Sequence, residues 1–252
     1  MPAAAYKHLR DKAEATAHRL SRPVFYHDHA AAVSRADAML ASDNLIMKCR
    51  AFLEAAQLEC AHGVCHCETV ARDAGALVII EASSRGISAG EEEQLFLSAL
   101  IAGLLHDIKR KEKDHAVLGS IEAEKILSSL GMDKKYRRFI SEAIKNHEAF
   151  KETHDADTAA GKLVSDALYD ADKFRWGPEN FTTTVWLIVE ERNTPLESLH
   201  RTFLESMKGI EKIKTTFRTD TGRHYGPEFI DQGLLIGDAI YEEMSLLLQT
   251  QK

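Results

Sequence analysis

The chain has 252 residues, enough for one large domain with a substantial core, and no Pro/Gly/Ser-rich linker divides it. Its formal net charge of -7, from 32 Lys and Arg against 39 Asp and Glu, argues against a general nucleic-acid binder, which needs clustered cations to meet phosphate backbones. The opening MPAAAYKHLRDKAEATAHRL lacks the apolar core of a signal peptide and no apolar run reaches about 18 residues, so a soluble, cytoplasmic protein with no membrane partner is expected.

Only five prolines, recurrent aliphatic and alanine-rich stretches and a shortage of alternating patterns predict an all-α fold. Helices are predicted over 3–20, 28–41, 43–60, 63–82, 91–108, 114–130, 134–148, 157–174, 180–193, 196–212 and 229–249, with no internal repeat among them. Near the start, FYHDHA places His27 and His29 around Asp28, but it follows Pro23 without a long apolar helix before it and reads as a helix start. Ser42 and Asp43 offer an N-cap for the third helix. Cys49, Cys60, Cys65 and Cys67 match no usual thiolate spacing and read as buried or half-buried free thiols. His66 heads a face continued by Val70, Ala74 and Leu77, whereas His62, one turn earlier beside Gly63, reads as a cap or a solvent residue.

The segment from Leu95 to Leu105 is strongly apolar, yet it ends in His106 and Asp107 before the charged run from Lys109 to Asp114. Neither an imidazole nor a carboxylate enters a core cheaply without a partner, and a metal ion is such a partner. Asp114 is a plausible N-cap for DHAVLGSIEAEKIL, in which His115 is followed by apolar Val117, Leu118, Ile121 and Ile126. Gly131 closes that helix. His147 ends FISEAIKNHEAF, with Ile140 and Ile144 on its inner face. Asp172 lies in LVSDALYDADKFRWG, where Asp166 and Asp170 are rival carboxylates on the same helix. Pro195 separates the next two helices, and Arg218, Arg223, His224 and Tyr225 stand among Gly222, Gly226 and Pro227, a composition expected of an ordered loop.

Taken together, His66 with Val70, the His106–Asp107 doublet, His115 with Gly119, His147 in AIKNHE, and Asp172 followed by Lys173 resemble the HD-domain superfamily of metal-dependent phosphohydrolases, over roughly residues 60–176. The resemblance implies a single-domain helical bundle of the HD type, with residues 1–59 as N-terminal helices and 177–252 as a C-terminal extension. It implies that His66, His106, Asp107 and Asp172 hold one metal, and that Asp107 bridges to another held by His115 and His147. An imidazole and carboxylate set suits one or two divalent ions, Fe or Mn foremost, with Co, Zn and Mg also open. Two ions about 3.5–4 Å apart would activate water and polarise a phosphoryl group, hydrolysing a phosphomonoester, phosphodiester or nucleotide. Asp107, Lys109 and Arg110 are the expected catalytic group, and Lys173, Arg175, Arg218 and Arg223 the expected contacts to a small phosphorylated substrate.

The chain departs from the cyclic-di-GMP phosphodiesterases of the superfamily, because it lacks their glycine-tyrosine-proline segment and their paired histidines: Glu148 follows His147. The interval from Asp107 to His115 is also short; if His115 turned away, the centre would be mononuclear. The same ligands serve mixed-valent di-iron oxygenases of the superfamily, so an oxygenase is the alternative chemistry, and a metal- or nucleotide-binding module without turnover is a third.

Overall fold

The computed structural model describes residues 2–56, 58, 63–153 and 156–250. Among them the secondary structure is helical throughout: α1 Pro2–Ala17, α2 Val24–Asp28, α3 Ala30–Ser42, α4 Asn44–Ala55, α5 Val64–Arg85, α6 Ala89–Leu105, α7 His115–Ser129, α8 Lys134–Lys145, α9 Ala159–Phe174, α10 Val185–Glu191, α11 Leu196–Lys212 and α12 Asp220–Gln249. A π turn, Asn180–Thr184, leads into α10, and a 3-10 turn, Ile213–Thr215, follows α11. No helix among the described residues is long and apolar enough to cross a membrane. The expected all-α class is therefore observed.

The chain forms two compact units, one comprising Phe25–Asp172 and Phe217–His224, the other the N-terminal stretch to Val24, Lys173–Thr216 and the chain from Tyr225 onward. The first unit is built on α5 and α6. Both are buried on most of their surface, α5 through Cys67, Val70, Ala71, Ala74, Leu77 and Val78, and α6 through the run from Leu95 to Leu105, as expected of core helices. They cross with backbones in contact: a Cβ on Gly103 would stand 2.4 Å from the Ala71 Cα. α3 packs on α5, α8 and α4 on α6, and α7 on α8. Local signals behave as read at several ends. Asp43 accepts hydrogen bonds from the Leu45 and Ile46 amides at 2.8 and 2.9 Å, and Gly131 follows α7 with φ +75°.

On α7, Val117, Leu118 and Ile121 are 42, 39 and 48% exposed, and the buried residues are Ala116, Gly119, Ser120, Ala123, Ile126 and Leu127. At Gly119 the approach is close, since a Cβ there would stand 3.4 Å from the His106 carbonyl oxygen and from Ile144 Cγ2. One expectation for this helix is corrected. Asp114 makes no side-chain cap and adopts the left-handed conformation, φ 60°, which reverses the chain into α7.

The expected loop around Gly222 and Pro227 is instead the beginning of α12, a 30-residue helix with Pro227 inside it. Proline removes one helical hydrogen bond, a local cost. It is outweighed because two buried carboxylates grip the first turn. Asp170 accepts from the Arg218 and Thr219 amides, both at 2.8 Å, and from the Thr219 hydroxyl at 2.7 Å. Glu81 accepts from the amide and hydroxyl of Thr221 at 2.8 and 2.7 Å. Gly222 is required here, since a Cβ would stand 2.0 Å from the Asp170 Oδ2.

The second unit has its own aromatic core. Phe174 stacks on Phe229 with ring centroids 4.2 Å apart, and the buried Trp186 donates its indole N–H to the Phe181 carbonyl at 2.7 Å. Leu9, Phe203, Met207, Ile236, Ile240 and Met244 fill the remainder.

Candidate metal centre

Five helix ends of the first unit meet at the doublet. His66 lies in the first turn of α5, His106 caps the C-terminus of α6, and Asp107 begins the turn that follows. His115 is the first residue of α7, His147 stands just past the end of α8, and Asp172 is in the last turn of α9. The interval from Asp107 to His115 is long enough, since Arg110 N–H closes a turn on the Asp107 carbonyl at 2.8 Å and the left-handed Asp114 aims α7 back at the doublet. All six candidate ligands are thus brought together.

The contacts fall into two overlapping sets. His66, His106 and Asp107 offer atoms within 4.8 Å of one another, and so do Asp107, His115 and His147. Asp107 is shared: Oδ2 is 3.5 Å from His106 Nε2, whereas Oδ1 is 3.6 Å from both His115 Nε2 and His147 Nε2. Asp172 Oδ1 completes the first set at 3.6 Å from His66 Nε2 and 3.9 Å from His106 Nε2. Asp166 turns away to Lys162, 2.6 Å, and Asp170 serves α12, so of the three rival carboxylates only Asp172 faces the histidines.

Hydrogen bonding fixes which nitrogens are available. A carbonyl oxygen can only accept, so His106 Nδ1–H donates to Gly103 at 2.7 Å and His147 Nδ1–H donates to Ile144 at 2.6 Å. A guanidinium can only donate, so Arg110 Nη1–H donates a hydrogen bond to His115 Nε2 at 3.1 Å. In all three rings the lone pair therefore sits on Nε2, and each Nε2 faces a carboxylate oxygen. At His106 and His147 this lone pair and the anionic oxygen repel unless a cation lies between them, whereas at His115 the Arg110 guanidinium already brings positive charge. A proton is a poor choice, because burial pushes the imidazoles of His106 and His115 below the ordinary histidine value, against the upward pull of Asp107. His106 Nε2 is buried without a hydrogen-bond partner among the described residues. Divalent ions satisfy these donors, and the set fits them.

Among the described residues, no cysteine belongs to either histidine set. Cys67 is buried beside His66, and burial reinforced by Asp107 and Asp172 pushes its thiol well above the ordinary value. Burial likewise pushes Cys49 up to about 12. Cys65 is exposed, unlike the half-buried thiol expected, while Cys60 and His62 lie outside the described residues.

The candidate cations are placed unequally. Arg110 touches the centre, with Nη1 3.7 Å from Asp107 Oδ1, whereas the Lys109 ammonium lies 3.8 Å from Glu122. Arg218 lies over the Tyr169 ring, 3.5 Å from its centroid, and donates to the Asn146 carbonyl at 3.1 Å. It lines a cavity of about 240 Å³ with Asn146, Thr153, Lys162, Ser165 and Asp166. Arg223 pairs with Asp220 on the surface at 2.8 Å. In the second unit, Lys173 lies 5.6 Å from the Trp176 ring and Arg175 donates to Glu179 at 2.8 Å. His27 bonds Asp28 in the open, 2.9 Å, and joins neither histidine set; the two stand at the end of α2 and not at the helix start expected.

Sequence reasoning missed the residues that hold the frame: Gly103, Asp170 with Thr219, and Glu81 with Thr221. The Thr-Asp-Thr run was the available signal for a helix start, but the buried carboxylates that pair with it are distant in sequence. Burial pushes the Asp170 carboxyl up to about 7, opposed by the three hydrogen bonds it accepts. Asp170→Asn must turn its amide N–H₂ toward either the Arg218 or the Thr219 backbone N–H, leaving a buried donor facing a donor. A loss of about 2–3 kcal/mol is expected, read from the urea midpoint of the metal-free protein. An unchanged midpoint would show that this grip contributes nothing.

The centre is thus a buried His/Asp cluster in an all-helical protein, able to hold metal ions. Comparison with protein-family models, with curated proteins and with solved structures finds no match to this chain.

Proposed function

We propose that the protein is a metal-dependent phosphohydrolase with a two-cation centre of the HD type, acting on a small phosphorylated substrate such as a nucleotide or a phosphomonoester. The observation that carries this reading is the division of Asp107 between two histidine sets, one oxygen to each. His66, His106, Asp107 and Asp172 would hold one ion, and Asp107, His115 and His147 the other. When bound, such ions supply Lewis acidity and a water nucleophile of lowered pKa, the requirements of in-line phosphoester hydrolysis.

The chain's own residues do the remaining work. The backbone carbonyls of Gly103 and Ile144 hold two imidazoles in the ligating tautomer before any ion arrives. Burial of His106 and Asp107 keeps bulk water from the inner set and strengthens every charge interaction there. Arg110, 35% exposed, brings positive charge to the open side where a phosphate would approach. The nitrogen and oxygen set favours Fe or Mn.

The test is elemental analysis of anaerobically purified protein, followed by a phosphate-release screen with Mn(II) across nucleotides, monoesters and diesters. Metal at one or two ions per chain with metal-dependent release on at least one substrate class is expected, and His147→Ala should lower both. Iron-dependent dioxygen uptake with no phosphate released would sink the hydrolase reading.

A further inference from the structure

We infer that Arg110 is a built-in cation at the outer half of the centre, and that a second metal ion enters only by displacing its guanidinium. The inference rests on the metal-binding reading above and concerns how that site is filled. Arg110 Nη1 is 3.1 Å from His115 Nε2 and 3.7 Å from Asp107 Oδ1. These are two of the three atoms that the outer set offers to an ion, and the third, His147 Nε2, is 3.6 Å from the same Asp107 oxygen.

The exclusion follows from valence and charge. His115 Nε2 has one lone pair, so it accepts either the Arg110 N–H or a metal ion. The guanidinium cannot escape by losing a proton, since it stays charged at any physiological pH. A divalent ion beside it would meet a fixed like charge, which is costly in a half-buried setting. The inner set differs: His106 Nε2 faces the carboxylates of Asp107 and Asp172. The side chain also has somewhere to go. It is 35% exposed and lies in the turn after α6, so it can swing to solvent, where the phosphate of an incoming substrate is the natural counter-ion. Filling the outer site and freeing a cation for the substrate become one event.

Mn(II) binding to the chelator-stripped full chain, counted by the electron paramagnetic resonance of the free ion, tests this without reference to activity. Wild type should bind one ion tightly and a second weakly. Arg110→Ala and Arg110→Gln should each tighten the second ion by at least about tenfold while changing the first by less than about twofold. Gln keeps most of the side-chain length without the charge, so agreement between the two variants assigns the effect to the cation and guards against misfolding of either. A second ion bound equally or more weakly in both variants overturns the role of Arg110 and leaves the metal centre standing. No binding to any of the three proteins overturns the centre and the inference together.

Discussion

Replacing Asp107 by alanine is expected to empty the whole centre, whereas removing any one histidine should cost at most part of it. The asymmetry follows from geometry: Oδ2 faces His106 and Oδ1 faces His115 and His147, so the substitution removes a ligand from both sets at once. It also removes the anion that offsets a doubly charged cation in the buried inner set, where Coulomb interactions are strong. Metal content by elemental analysis should fall to background in Asp107→Ala, while His147→Ala retains one ion. A thermal readout separates loss of metal from loss of fold. At a hundredfold excess over its dissociation constant, an ion adds about 2.7 kcal/mol. For a domain of roughly 150–250 residues that raises the melting temperature by about 5–10 °C. Wild type should show this rise with Mn(II), and Asp107→Ala should melt at one temperature with or without it. Normal metal content in the variant would remove Asp107 from the centre.

The second large effect belongs to a residue without a side chain. Gly103→Ala would place its Cβ 2.4 Å from the Ala71 Cα, 2.6 Å from the Ala71 nitrogen and 3.0 Å from the Val70 carbonyl carbon. All three are backbone atoms, so no flexible chain end can yield, and α5 and α6 must separate toward ordinary contact at about 3.5–4.0 Å. Helix propensity alone favours alanine by about 1 kcal/mol. Overpacking costs about 1–3 kcal/mol and occasionally more, and a clash with rigid backbone belongs at or beyond the top of that range. A net loss of about 2 kcal/mol is expected in the urea midpoint of the metal-free protein. Because α5 carries His66 and α6 ends at His106, metal affinity should fall as well. Greater stability in Gly103→Ala would show that the two helices do not touch there.

The buried His/Asp cluster was partly legible because His106 and Asp107 stand at the end of an apolar stretch, where a polar group needs a reason, and the resemblance joined the other four residues to them. The inner face of α8 was legible too, since Ile140 and Ile144 are buried as their spacing implies. The face of α7 was not, since of its apolar residues Val117, Leu118 and Ile121 are exposed while Ile126 and Leu127 are buried, and Gly119 sits against His106 and Ile144. Among the three carboxylates of α9, spacing alone could not decide; Asp166 and Asp170 are distinguished by partners at Lys162 and Thr219. The start of α12 was hidden for the same reason. Gly222 and Pro227 speak for a loop locally, while the carboxylates that impose the helix come from 140 and 49 residues away.

Those two carboxylates have a further consequence. Glu81 lies on α5, the helix of His66, and Asp170 lies on α9, the helix of Asp172, so the short strand of backbone from Arg218 to Thr221 staples together the two helices that bring His66 and Asp172 face to face. This staple is made of amide and hydroxyl hydrogen bonds that involve none of the candidate ligands. The amides of Thr219 and Thr221 should therefore exchange with deuterium as slowly after chelation as before it, so that the cage would stand ready whether or not an ion fills it.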